Sequence, residues 1–136
     1  MIGFIRRILS LLFKFGFYSK HYKITYEGKA VSWNTLYSQG HWKKRSDLKI
    51  KYQKIFTILL LEAKVKPMDD FMIVIFYNNR MDVDNVSVNS KWLADVIKGA
   101  YVEDDSNDLY RGLMIFHDPS LPKNTIEFHI IGNGNS

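Results

Sequence analysis

The run Phe71-Met-Ile-Val-Ile-Phe-Tyr77 constrains the fold of this chain more than any other stretch. Seven consecutive apolar residues rich in Ile, Val and Phe lack the polar alternation of a strand with one wet face. They predict a central strand covered on both faces, whose end delivers the chain directly to Asp82. The elements around it must therefore supply cover. At 136 residues and 46% hydrophobic content the chain can bury one core, so a single domain is expected.

Periodicity supplies the surrounding elements. His21 to Glu27 alternates as a strand with Tyr22, Ile24 and Tyr26 on one face. The turn at Glu27-Gly28-Lys29 leads to a second extended run, Ala30 to Tyr37, which predicts a hairpin. After the basic segment His41 to Arg45, Ser46 is the expected N-cap of a long helix carrying Leu48, Tyr52, Ile55, Phe56, Leu59 and Ala63, ending before Pro67. Ser90 to Lys98 predicts a helix closed by Gly99, with Trp92, Leu93, Val96 and Ile97 on the core arc. Leu109 to His117 and Thr125 to Ile131 read as two final strands joined by the Asp118 to Pro122 turn. The expected fold class is α+β: one small domain, residues 21–131, with a mixed sheet packed by two main helices. It is preceded by an N-terminal extension, residues 1–20, and followed by a frayed, disordered tail, residues 132–136.

Within that extension, the first 18 residues combine Ile2, Phe4, Ile5, Ile8, Leu9, Leu11, Leu12, Phe13, Phe15 and Phe17 with Arg6, Arg7 and Lys14. The run is shorter than the roughly 20 apolar residues a membrane span needs and is interrupted by Lys14. Phe15-Gly-Phe-Tyr-Ser19 is too bulky for a signal-peptide cleavage site. An amphipathic helix packed on the domain or on a dimer partner is the expectation, and contact with a membrane surface through residues 1–18 is the alternative. The chain has no cysteine, which excludes disulfides, thiolate metal sites and a cysteine nucleophile and fits a cytoplasmic protein.

Charge is unevenly distributed. Residues 1–66 hold 14 Lys and Arg against three acids, and residues 67–136 hold five against 11. A basic body joined to an acidic pole suits an enzyme that grips a phosphate backbone with one surface and coordinates metal with another. The acidic pole is Asp82 and Asp84 in Arg80-Met-Asp-Val-Asp-Asn85, followed by Lys91 and Asp95 and by Glu103-Asp104-Asp105. Converging carboxylates repel one another unless a divalent cation neutralises them, so the pattern points to a Mg²⁺ site acting on phosphates. In extended backbone Asp82 and Asp84 project to one side of Val83, Lys91 and Asp95 share a helix face, and an acidic loop at the far end of that helix could close the cluster. The four histidines are dispersed without metal-ligand spacing.

The series Arg80, Asp82, Asp84-Asn85, Lys91, Asp95 and Asp104-Asp105 resembles the signature of the RusA-like Holliday junction resolvases, small dimeric Mg²⁺-dependent endonucleases common in bacteriophages and prophages. The resemblance covers about His21 to the C-terminus, through the order of strand, Asn-containing loop, long helix, strand, acidic motif, helix, acidic loop and two strands. It implies Asp82, Asp84 and Asp105 as metal ligands, Lys91 as catalytic lysine, Asp95 and Asp104 as supporting acids, and Asn85 as a brace of the loop. The stretch from Asp84 to Lys91 is three residues longer than the family shows, which on a helix is about 300°, some 60° short of a full turn, so Lys91 could still face the same cleft. Mg²⁺, replaceable by Mn²⁺, would activate water and neutralise the scissile phosphate. The implied partner is a four-way DNA junction nicked in pairs by a symmetric homodimer, in recombination, repair or phage DNA processing. Lys43, Lys44, Arg45, Lys49, Lys51, Lys54 and Arg80 are the expected DNA-binding residues, and Trp42 or Tyr37 could stack on an unpaired base. The alternative is a non-catalytic DNA-binding or membrane-associated phage accessory protein on the same fold.

Overall fold

Strand β2 (Asp70–Asn78) is the axis of the molecule. The computed structural model describes residues 1–30, 42–102 and 109–134. In chain order these form α1 (Ile2–Lys14), β1 (Lys20–Glu27), α2 (Trp42–Glu62), β2, α3 (Val83–Ala100), β3 (Tyr110–His117) and β4 (Thr125–Asn133), an α+β domain on one four-stranded mixed sheet. The strand order is β1-β4-β2-β3. β2 pairs antiparallel with β4, from Asp70 opposite Asn133 to Asn78 opposite Thr125. On its other side it runs parallel to β3, with Ile75 opposite Ile115 and Tyr77 opposite His117. Parallel neighbours require a crossover, and α3 provides it.

Alternation along β2 sends Phe71, Ile73, Ile75 and Tyr77 to one face and Val74 and Phe76 to the other, and all are buried. The first face packs under Tyr52, Phe56 and Leu60 of α2 and Val86, Leu93 and Ile97 of α3. The second packs under α1, where Leu9 and Tyr18 are buried against Val74, Phe76 and Ile131, with Ile2, Ile5 and Leu12 alongside. The N-terminal helix thus packs on the body of the chain and forms a third layer. Its end is a Schellman turn: Phe17 N–H donates to the Leu12 carbonyl at 3.0 Å and Gly16 N–H to that of Phe13 at 3.1 Å. Gly16 takes the left-handed φ of +81° that this turn demands. Among the described residues no helix is long and apolar enough to cross a membrane.

Several expectations shift. α2 begins at Trp42, ahead of Ser46, because Lys43, Lys44 and Arg45 are good helix formers and extend the helix backwards. α3 begins at Val83, ahead of Ser90, and runs through Gly99 to Ala100. The two final strands are present and joined as expected, with β2 lying between β3 and β4 and the connection crossing its end, where Asp118 N–H bonds to the Tyr77 carbonyl and Asn124 N–H to that of Asn78. β4 continues to Asn133, so Gly132 and Asn133 belong to the sheet and not to a frayed tail. A Cβ on Gly132 would stand 2.3 Å from the Asp70 carbonyl oxygen, which explains the residue there. The predicted strand Ala30 to Tyr37 lies outside the described residues beyond Ala30, and β1 pairs with β4.

A polar chain fastens α1 to the sheet. The Arg6 guanidinium donates to Asp118 Oδ2 at 2.8 Å and to Glu127 Oε1 at 2.6 Å, while its Cζ lies 4.0 Å from the Phe76 ring centroid. His129 Nε2–H donates to the same Glu127 oxygen at 2.6 Å, which leaves His129 Nδ1 to accept from His21 Nε2–H at 2.8 Å. Asp118 is 1% exposed and Glu127 8%, so neither carboxylate can turn to water. Burial works against ionisation of both, but hydrogen bonds from Ser120 and Arg6 to Asp118, and from Arg6 and His129 to Glu127, hold their pKa values below the ordinary range. Burial pushes both histidines down, His21 further through the neighbouring His129.

The four shifts act in one direction. Groups with depressed values bind fewer protons folded than unfolded, so their stabilisation is complete above the unfolded values and is lost as pH falls. The histidines begin the loss below their ordinary 6.5, and the carboxylates continue it below 4.5 for Glu127 and 3.8 for Asp118. Because the Arg6 side chain is 32% exposed, its removal costs less than breaking a fully buried pair. We expect Arg6→Gln to destabilise the fold by about 2–3 kcal/mol at neutral pH and to flatten the acid limb of stability. Urea unfolding over a pH series checks both; an unaltered limb would remove Arg6 from this role.

Candidate functional site

The C-terminal end of β2 leads through Asn78-Asn79-Arg80-Met81 into α3. Asp82 is the N-cap residue, with extended φ and ψ of −69° and 157°, and its carbonyl accepts from Asn85 N–H at 3.0 Å. Asp84 occupies the first turn. Aspartate suits both positions, since the orphan N–H groups and partial positive charge of a helix start favour anions. The two carboxylates therefore sit at a helix N-terminus, in place of the extended alternation expected around Val83. Both residues are exposed, and the Asp82 side chain makes no capping hydrogen bond, so its carboxylate remains available. Behind it, the Tyr77 hydroxyl donates to the Met81 carbonyl at 2.9 Å, and burial together with the negative charge of Asp82 pushes the phenol up.

Starting the helix at Val83 orders the rest of the motif. From Asp84 to Lys91 is seven residues, about 20° short of two full turns, and Asp95 lies a further turn along. Asp84, Lys91 and Asp95 therefore share one stripe, as the sequence reading required. Lys91 is exposed, Asn85 half-buried, and Asp95 is approached by Lys49 of α2 at 3.9 Å. Lys91, Asp95 and Lys98 line a cleft of about 470 Å³ between α3 and β3, floored by Tyr110. Burial pushes the Tyr110 phenol up to about 12, and its ring stacks on Phe71 at 5.0 Å.

A second cleft, of about 480 Å³, ends one residue before Asp82 and holds three cations: Lys29, Arg80 and Lys123. Its walls are fixed by hydrogen bonds to backbone carbonyls. The Tyr52 hydroxyl of α2 donates to the Lys29 carbonyl at 2.6 Å, Asn124 N–H to the Asn78 carbonyl at 2.7 Å, and Asn78 Nδ2 to the Leu121 carbonyl at 2.6 Å. Burial, with Tyr26 alongside, pushes the Tyr52 phenol up, so it stays a donor. Arg80 was expected among the cationic residues, but Lys29 and Lys123 were not. Neither carries a sequence signal, because only the crossing of three loops at one end of the sheet brings positions 29, 80 and 123 together.

Asp104 and Asp105 lie outside the described residues. The chain leaves the described structure at Val102, bridged to Met68, and returns before Tyr110, paired with Phe71, so both flanks sit at the N-terminal end of β2. Asp82 lies at the opposite end, and α3, 18 residues or about 27 Å long, separates them. Among the described residues no three His, Asp or Glu side chains form a group that could hold a metal ion. Asp82 and Asp84 still form a hard oxygen donor pair. That fits Mg²⁺, which keeps several waters and binds through one or two carboxylates together with substrate phosphates.

The other expected cationic residues line α2. Lys43, Lys44, Lys51 and Lys54 are exposed, and Lys44 and Lys51 flank a shallow cleft of about 300 Å³ with Asp47. Arg45 and Lys49 are half-buried, and Lys49 is turned towards Asp95. Tyr37 and the Trp42 side chain fall outside the described residues.

No family model matches the chain, and no curated protein matches its sequence.

The three cations of this cleft give it the charge to hold a phosphate. We expect Lys29→Ala, Arg80→Ala and Lys123→Ala each to weaken duplex-oligonucleotide binding. Each should also reduce the slope of log affinity against log salt by about 0.9, the contribution of one neutralised phosphate. Fluorescence anisotropy over a salt series measures this, and an unchanged slope in all three would exclude the cleft from backbone contact.

Proposed function

We propose that this chain is a divalent-metal-dependent endodeoxyribonuclease that acts in the cytoplasm on branched DNA, with the four-way junction as the substrate and a homodimer as the working form. One observation carries the reading: the exposed Asp82 and Asp84 follow, at the start of α3, directly on a cleft that holds Lys29, Arg80 and Lys123 at the carboxyl end of β2. The element order around the site supports it, since it is the order of the RusA-like nucleases that the acidic motif resembles.

Each residue then has a task. Lys29, Arg80 and Lys123 neutralise and position the backbone next to the scissile phosphate. Asp82 and Asp84 would hold Mg²⁺ or Mn²⁺, which would supply an activated water and neutralise charge on the phosphate. Lys91, on the stripe of Asp84, places a point charge towards the pentacovalent phosphate as negative charge builds there. Asp95, with Lys49 beside it, sets the field along that stripe. Lys43, Lys44, Lys51 and Lys54 extend the cationic surface along α2.

Asp82→Asn and Asp84→Asn should each abolish Mg²⁺-dependent cleavage of a synthetic four-way junction while junction binding survives or tightens, because repulsion of the phosphates falls. Lys91→Ala should slow cleavage about 10²- to 10³-fold, the scale of one lost electrostatic contact to a transition state. Full cleavage by either Asp variant sinks the assignment. Junction binding by the parent chain without cleavage in Mg²⁺ or Mn²⁺ selects the non-catalytic DNA-binding reading.

A further inference from the structure

The apolar arc of helix α1 is wider than the stripe that the sheet covers. Ile2, Ile5, Leu9 and Leu12 point to the sheet, and Arg6 is tied to Asp118 and Glu127 beneath the helix. The flank beside that stripe, Phe4, Ile8 and Leu11, recurs at helical spacing about 110° round the helix from the sheet-facing residues and is followed by Phe15 and Phe17 beyond the Schellman turn. Phe4 is 65% exposed, and Phe15 and Phe17 are each 70% exposed. A soluble surface rarely gathers so many large apolar side chains along one line.

The flanking charge identifies the partner. Arg7 and Lys14, both exposed, lie together on one border of the stripe, and Lys23 is exposed on the sheet face that α1 covers. No acidic residue occurs before Glu27. Pairing with a second copy through this stripe would set two basic flanks against each other with no carboxylate on either helix to compensate. An anionic lipid surface matches both features. Phenyl rings enter the boundary between headgroups and acyl chains, and Arg and Lys at the border reach the phosphates. We propose that the exposed apolar flank of α1, with Phe15 and Phe17, docks this protein on an anionic bilayer, the helix lying in the plane of the interface with Arg7 and Lys14 at its border. Since α2 packs on the other face of the sheet, docking leaves the Lys44 and Lys51 surface turned away from the lipid. The inference is independent of the nuclease reading.

Co-sedimentation of the full chain with vesicles tests it. We expect the protein to pellet with phosphatidylglycerol–phosphatidylcholine vesicles, and far less with phosphatidylcholine alone. The triple variant Phe4→Ser, Phe15→Ser, Phe17→Ser should lower the vesicle partition coefficient by at least about tenfold. Its circular dichroism and melting temperature should stay unchanged, because all three side chains lie outside the core. Arg7→Gln with Lys14→Gln should erase the preference for anionic over neutral vesicles. Three results would each overturn the proposal: a full chain that stays in solution with both vesicle types, a triple variant that pellets like its parent, or a lipid-free dimer that the triple variant converts to a monomer. The last result would assign the stripe to a second copy of the chain.

Discussion

A strand that is apolar on both faces cannot be satisfied by two layers. β2 and β4 are buried along nearly their whole length, so the sheet needs cover on each side, and the chain provides it from opposite ends of its sequence. α2 and α3 enclose Ile73, Ile75 and Tyr77; α1 encloses Val74, Phe76 and Ile131. Without α1 one face of the central strands would meet water, together with the carboxylates of Asp118 and Glu127. Arg6 is the counterpart of that second difficulty: it carries a positive charge in with the helix, and its stem and guanidinium cover Phe76 on the way. The N-terminal helix is therefore structural even though the domain-like sequence pattern begins only at His21.

The same central strand fixes where chemistry can occur. Because β2 and β3 are parallel, the chain must return along α3, and the loop that starts this return stands at the carboxyl end of the sheet. Crossing of the β3–β4 connection over the end of β2 brings Lys123 beside Arg80, and the Tyr52 hydroxyl secures Lys29 on the opposite wall. Cations and the carboxylates of Asp82 and Asp84 are thereby adjacent without neutralising one another in ion pairs among the described residues. That separation of charge suits an anionic ligand bound through metal and cations together.

The wide apolar arc of α1 shows how little material lies between a core element and an interaction surface in a small domain. Its sheet-facing stripe is obligatory for the fold, and the flank beside it, with Phe4 65% exposed, lies outside the core. The side chains of that flank can therefore be altered without disturbing the sheet, whereas Arg6, less than a turn away on the same helix, cannot.

How much of this was legible beforehand follows from the range of the forces involved. The doubly covered strand at residues 71–77, the helical spacing of Tyr52 and Phe56, and the common face of Lys91 and Asp95 are local patterns, and the folded chain preserves them. So is the apolar excess of the first 18 residues, although sequence alone left its partner open. The start of α3 was misplaced because Asp82-Val-Asp84 fits both an extended segment and a helix N-terminus; the N–H groups exposed by the helix beyond it settle the matter. The far limit of β4 was missed since Gly132 looks like a terminator until Asp70 is known to press against it. Tertiary structure alone decided that β2 would lie between β3 and β4, that Lys29, Arg80 and Lys123 would share a cleft, and that Arg6 would meet Asp118 and Glu127 across more than a hundred residues. Such encounters depend on which strand edges pair and which loops cross, and these are properties of the whole folded chain with no period in its sequence.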